Sequence, residues 1–188
     1  MKVNNNDFWE KLHNETLLLI VEHGAKGWTV NTICKNVGIA KDTFYRIIGT
    51  KENLVKRVIL QEIDLHLSKI TLIIGNHDVF FEKLKAIIES LSTFFIKLPS
   101  NKLREVMIEY PSIEKSVNMS LADSVTSIEN FIDMGKELGE ILKTVDSQLI
   151  VKVLHLCMIE FITTDDACNA ESDIEKLLSY LIYGVKQR

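Results

Sequence analysis

The chain has 188 residues, 46% of them apolar, and 26 acidic against 22 basic residues for a net charge of −4. That length supports one large domain or two small ones with a real core, and the apolar share is ordinary for a soluble globular protein. No apolar run is long enough to span a bilayer; the nearest, 149–162, is interrupted by Lys152, His155 and Glu160.

With only Pro99 and Pro111 as breakers, the chain can form long helices. No segment shows the period-two alternation of a strand, so an all-α fold of about nine helices is expected. Residues 1–6 read as a frayed tail. Asp7 can cap a first helix over 8–23, with Phe8, Leu12, Thr16, Leu19, Ile20 and His23 facing inward and Gly24 stopping it. The loop Ala25–Trp28 follows, with Trp28 expected to pack on the core. Thr29 is a suitable N-cap for a helix over 30–37, because its hydroxyl can accept an orphan backbone N–H. Val30, Ile33, Cys34 and Val37 then fall at i, i+3, i+4 and i+7, one helical face. Gly38 can end this helix in a left-handed conformation, and Ile39 anchors the turn. The next helix, about 40–47, places Ala40, Phe44, Ile47 and Ile48 on one side. Asp42 and Arg46 lie opposite, with Thr43 and Tyr45 on the flanks.

Thr50 can cap a helix over 51–74 whose stripe is Leu54, Val58, Ile59, Ile63, Leu67, Ile70 and Ile74. A domain boundary is placed here: residues 1–50 form a head, connected through this helix to a body of residues 51–188. A break at 75–77 and a cap at Asp78 introduce a helix over 79–98. Pro99 ends it, and a short helix over 102–109 follows. After Pro111 comes a long helix over 112–137, its end bracketed by Gly135 and Gly139. Asp146 can cap a helix over 147–163, which is apolar nearly all round. The last helix, 172–186, carries the stripe Ile174, Leu177, Leu178, Leu181, Ile182 and Val185. These residues, with Leu154 and Met158 on the preceding helix, exceed what one neighbour can cover. A homodimer through a four-helix bundle is the expectation, and a pair buried within one subunit is the alternative.

Charge is unevenly placed. Residues 1–60 hold nine basic and six acidic residues, net +3, whereas 61–188 hold thirteen basic and twenty acidic residues, net −7. Such a chain can meet DNA at one end and disfavours it elsewhere. A short helix held from behind, with polar and basic groups outward, suits a major groove. Over Thr29–Leu54 the chain resembles the DNA-binding segment of TetR-family transcriptional regulators. The matching features are Thr29, the pair Ile33–Cys34, Gly38, Tyr45 and Lys51, with Gly24 after the first helix. Cys34 stands where the family has alanine, Ala40 for a capping serine, Asp42 for a small residue and Ile48 for an aromatic one. The resemblance implies that Thr29, Tyr45 and Lys51 hold DNA phosphates. Lys41, Asp42, Thr43 and Arg46 are candidates to reach base edges, since Arg reads guanine and Asp accepts from cytosine. Asp42 has a second reading, as a stabiliser of the helix start that Ala40 cannot cap.

The resemblance further implies an apolar effector pocket in the body, for which Phe94, Phe95, Met107, Tyr110, Met119, Phe131, Met134, Met158 and Phe161 are the candidates. It implies a ligand-responsive repressor that binds a palindromic operator as a dimer. A helical carrier or enzyme with the head as scaffold, and a DNA-binding regulator without an effector, are the competing readings. The five histidines show no paired spacing, and no CxxC, HExxH, GxSxG, GxGxxG or P-loop occurs. No metal, cofactor or enzymatic activity is expected. Cys34, Cys157 and Cys168 are widely spaced and odd in number, and the Asn-rich start lacks an apolar signal core. Both point to a reduced, cytoplasmic location.

Overall fold

The computed structural model describes residues 5–163, with backbone alone at 5, 123, 155 and 157–163, together with residues 176, 180 and 184. Among them are eight helices and no strand. They are α1 (Asn5–His23), α2 (Val30–Val37), α3 (Lys41–Ile47), α4 (Lys51–Gly75), α5 (Phe80–Lys97), α6 (Ser100–Glu109), α7 (Pro111–Glu137) and α8 (Ser147–Thr163). The expected helix over 172–186 lies outside the described residues, apart from Lys176, Tyr180 and Gly184, which are helical.

Local signals explain most boundaries. Thr50 Oγ1 accepts the Asn53 amide at 3.0 Å and Asp146 Oδ1 the Leu149 amide at 3.0 Å, so each caps its helix as expected. Three helix starts differ, by more than one residue or in their cap, and α6 is one of them, beginning at Ser100 rather than 102. Helix α1 already begins at Asn5, so Asp7 sits in its first turn. Val79, not Asp78, is the N-cap of α5, and it makes no side-chain cap bond. Asp78 is engaged elsewhere: its amide donates to Asn76 Oδ1 at 3.0 Å and its carboxylate accepts from Asn76 Nδ2 at 2.6 Å.

The chain divides into two compact units. The first comprises the residues up to Ile63 together with Lys102–Val117, and so takes in α6 from Lys102 onward and the first turns of α7. Its core holds Leu12, Ile20, Ile33, Phe44, Leu54, Val55, Ile59, Leu103, Val106 and Ile113. His23, expected inside, is exposed beside Glu22 at the end of α1. Ile47 is 42% exposed. Three residues after the fully buried Phe44, it is turned roughly 60° from it around the axis. The polar pair His13 and Glu62 is buried in this core, joining α1 to α4.

The second unit comprises Asp64–Asn101 and the residues from Asn118 onward. Phe80 and Phe131 stack at 4.6 Å at its centre, among Ile132, Ile141 and Val151. Gly135 lets α7 approach closely, since a Cβ there would lie 2.6 Å from the Phe80 ring. The buried Lys83 donates to Ile74 O at 2.7 Å, at the C-terminus of α4. There a cation complements the helix dipole.

Candidate nucleic-acid interface

Helix α2 is held at both ends. Thr29, in extended backbone, accepts the Thr32 amide at 3.3 Å, and Thr32 Oγ1 accepts the Thr29 amide at 3.3 Å, a reciprocal capping box. At the other end Gly38 adopts φ 81° and ψ 39°. Its amide and that of Ile39 both donate to Cys34 O, at 2.9 and 3.0 Å. A left-handed C-cap of this kind turns the chain sharply into α3. Cys34 is buried, and burial pushes its thiol above the usual range while Lys41 opposes the shift.

Phe44 anchors α3 from behind, and Tyr45 meets it edge-on at 5.5 Å. Lys41, Asp42, Tyr45 and Arg46 are exposed and Thr43 is half-buried. Tyr45 is 51% exposed. Ala40 makes no side-chain cap bond, which leaves the start of α3 to the negative charge of Asp42 in its first turn. Thr29, Asn31 and Lys35 are exposed as well.

Lys51, expected to hold a phosphate, is half-buried and bonded to the loop before α2. Its Nζ donates to Ala25 O and Trp28 O, both at 2.7 Å, and lies 4.1 Å from the centroid of the Trp28 ring. Burial lowers its pKa, and Glu109 acts in the opposite sense. Trp28 is 3% exposed and packs on the core, as expected. The same loop meets α6: Lys26 pairs with Glu109 at 2.7 Å, and the Glu105 carboxylate lies over Gly24. Ser112 of α7 donates to Glu52 of α4. These contacts join residues far apart in the chain, and no local spacing announces them.

The candidate pocket residues are divided between the units. Met107 and Tyr110 belong to the first, and Phe94, Phe95, Met119, Phe131 and Met134 to the second. Phe131 is committed to the core stack, and Met119 is 62% exposed. Leu154 is half-buried. The side chains of Met158 and Phe161, and the candidates Ile174, Leu177, Leu178, Leu181, Ile182 and Val185, lie outside the described residues. Sequence reasoning missed His66. Its ring lies 4.8 Å from that of Phe94, and its Nδ1 lies 3.4 Å from Ser90 Oγ. Burial, assisted by Lys69, lowers its pKa to about 4. A single histidine beside an apolar stripe carries no motif that would have marked it. Among the described residues no cluster of His, Cys, Asp or Glu could hold a metal ion, and no helix is long and apolar enough to cross a membrane.

Solved structures share this architecture. A TetR-family regulator from Agrobacterium tumefaciens has a TM-score of 0.74 at 15% identity, covering 98% of this chain and 100% of its own. The fold is that of TetR-family regulators. The fatty acid degradation regulator FadR from Bacillus halodurans has a TM-score of 0.74 at 18% identity, covering both chains fully. The ketosteroid transcriptional regulator KstR2 of Mycobacterium tuberculosis has a TM-score of 0.67 at 14% identity, covering 100% of this chain and 98% of its own. No family model matches the chain, and no curated protein does. The TetR-family fold places α2 and α3 as the helix-turn-helix.

Proposed function

We propose that the chain is a sequence-specific DNA-binding transcriptional regulator, acting as a homodimeric repressor on a palindromic operator and released by a small molecule. The observation that carries this reading is the solvent face of α3. Lys41, Asp42, Tyr45 and Arg46 stand on a short helix anchored by Phe44 and aimed by the Gly38 turn. Lys41, Asp42, Thr43 and Arg46 read base edges, and Thr29 and Tyr45 give neutral hydroxyls to phosphates. A symmetric dimer matches two half-sites whose separation its own geometry sets.

The effector is largely apolar. Two structures of the same fold are described as regulators of fatty acid degradation and of ketosteroids, and Phe94, Phe95 and Met134 are apolar groups of the second unit. Helix α4 contributes residues to both units. An effector that favours one arrangement of α4 shifts the population of DNA-competent dimers. The regulator works in the cytoplasm and performs no catalysis.

Selection of bound sequences from a random duplex pool, followed by titration at several salt concentrations, tests the reading. The expected result is a palindromic consensus, with affinity that falls steeply as salt rises. Recovery of no consensus, or operator affinity that no compound alters, refutes the corresponding half of it.

A further inference from the structure

We infer that Lys51 serves DNA binding as a positioning residue, holding the 25–28 loop so that Thr29 is fixed at the start of α2, and is not itself a phosphate ligand. The inference rests on the DNA-binding reading above and assigns one of its residues a different task.

An ammonium has three N–H donors. Two of those on Lys51 are committed to Ala25 O and Trp28 O, at 2.7 Å each, and one side of the group is covered by the Trp28 indole at 4.1 Å. Both distances belong to strong charge-assisted bonds. Swinging the whole ammonium out to a phosphate would give up both bonds and uncover the ring. Burial works against the cation at this place, and Glu109, which also pairs with Lys26 of the same loop, offsets part of that cost.

The consequence for Thr29 follows from the planarity of the peptide group. Trp28 C=O and Thr29 N–H belong to one rigid plane. Lys51 holds the carbonyl end of that plane, and Thr32 Oγ1 accepts from the amide end at 3.3 Å. The loop itself starts at Gly24, with φ +69°; the amides of Gly24 and Gly27 bond back to Ile20 O and His23 O, and the Ala25 and Trp28 carbonyls are held by Lys51. Without the ammonium, the carbonyls of Ala25 and Trp28 lose their shared donor and the plane can rotate. The Thr29 hydroxyl then loses its aim at the phosphate, although its own chemistry is intact.

The experiment compares Lys51→Met, Lys51→Gln, Thr29→Val and the two double variants. Binding to the selected operator is followed by fluorescence anisotropy across a salt series, and folding is monitored by circular dichroism. Lys51→Met is expected to weaken binding by about tenfold at every salt concentration, the scale of one lost hydrogen bond to a charged group, with the slope of log K against log salt unchanged. Lys51→Gln, whose amide N–H can still reach a carbonyl, recovers part of the loss. In either Lys51 background Thr29→Val costs much less than in the wild type, because the hydroxyl is already misplaced. Purely structural damage would leave that Thr29 increment intact. A slope reduced by roughly 0.9 in both Lys51 variants, with the Thr29→Val cost undiminished, overturns the assignment and makes Lys51 a direct phosphate ligand. Should Lys51→Met fail to fold, Lys51→Gln decides on the same two readouts. A wild-type chain that selects no sequence defeats the DNA-binding reading itself, a result distinct from either outcome.

Discussion

His13 Nε2 and Glu62 Oε1 lie 2.5 Å apart with both side chains buried, tying α1 to α4 inside the first unit. Removing one member of a buried polar pair leaves the other desolvated without that partner, whereas replacing both with apolar groups can be nearly neutral. His13→Leu alone is therefore expected to lower unfolding free energy by about 3 kcal/mol. The double variant His13→Leu, Glu62→Leu should lose clearly less than the sum of the two single losses. Chemical denaturation of the four proteins gives the coupling directly, and simple additivity would show that the contact contributes nothing of its own.

Gly135 marks a close approach of α7 to Phe80 at the start of α5. Alanine is the better helix former by about 1 kcal/mol. Its Cβ at this position would nevertheless lie 2.6 Å from the Phe80 ring, which is itself stacked on Phe131. Overpacking of a filled core costs roughly 1–3 kcal/mol, so Gly135→Ala should lower the melting temperature. Gly75→Ala is the control, because a Cβ there meets nothing within 4 Å. It should be neutral or slightly stabilising. Equal behaviour of the two variants would remove the packing explanation.

His66 gives the second unit a dependence on pH. Burial against Phe94 and Ser90, with Lys69 nearby, holds its pKa at about 4 against an ordinary 6.5. Between those values the unfolded chain binds the proton and the folded chain does not, so stability rises with pH. The neutral ring's advantage is complete above pH 6.5 and is lost as pH falls towards 4. The loss is on the order of 2–3 kcal/mol. Denaturation at pH 7.5 and 4.5 should show a smaller drop for His66→Phe than for the wild type. An identical drop would assign the acid sensitivity to other groups.

Features set by neighbouring residues were legible in the sequence. Thr29, Thr50 and Asp146 cap the helices they precede, and Gly38 makes the turn it suggests, because each depends on backbone within three or four residues. The α3 face was legible for the same reason, apart from Ala40 and Ile47, which were expected inside and are exposed. A seven-residue helix is too short for its spacing to separate a buried flank from an exposed one. What escaped was non-local. The inward turn of Lys51 depends on carbonyls 23 and 26 residues earlier. The His13–Glu62 pair spans 49 residues, and the Lys26–Glu109 pair links the loop to α6. Periodicity reports which face of a helix is apolar, and is silent on which distant element supplies a polar partner.

Arg46 and Tyr45 are adjacent on α3, yet they are expected to fail in different ways. Arg46 is exposed on the side opposite Phe44, in register with Asp42 one turn earlier. That position is the one a groove floor would meet, and a guanidinium there can bond guanine O6 and N7 together. Arg46→Ala should therefore relax the consensus at one position of each half-site, with about 1–3 kcal/mol less discrimination there. Tyr45 lies on the flank, its ring braced edge-on by Phe44. Its hydroxyl suits a phosphate, which carries no sequence information. Tyr45→Phe should then weaken binding to all sequences alike and leave the consensus unchanged. Because the lost group is uncharged, the salt slope should stay the same. Repeating the pool selection with both variants separates the roles. If Arg46→Ala recovers the wild-type consensus at undiminished contrast, base reading belongs to Lys41, Asp42 or Thr43 instead.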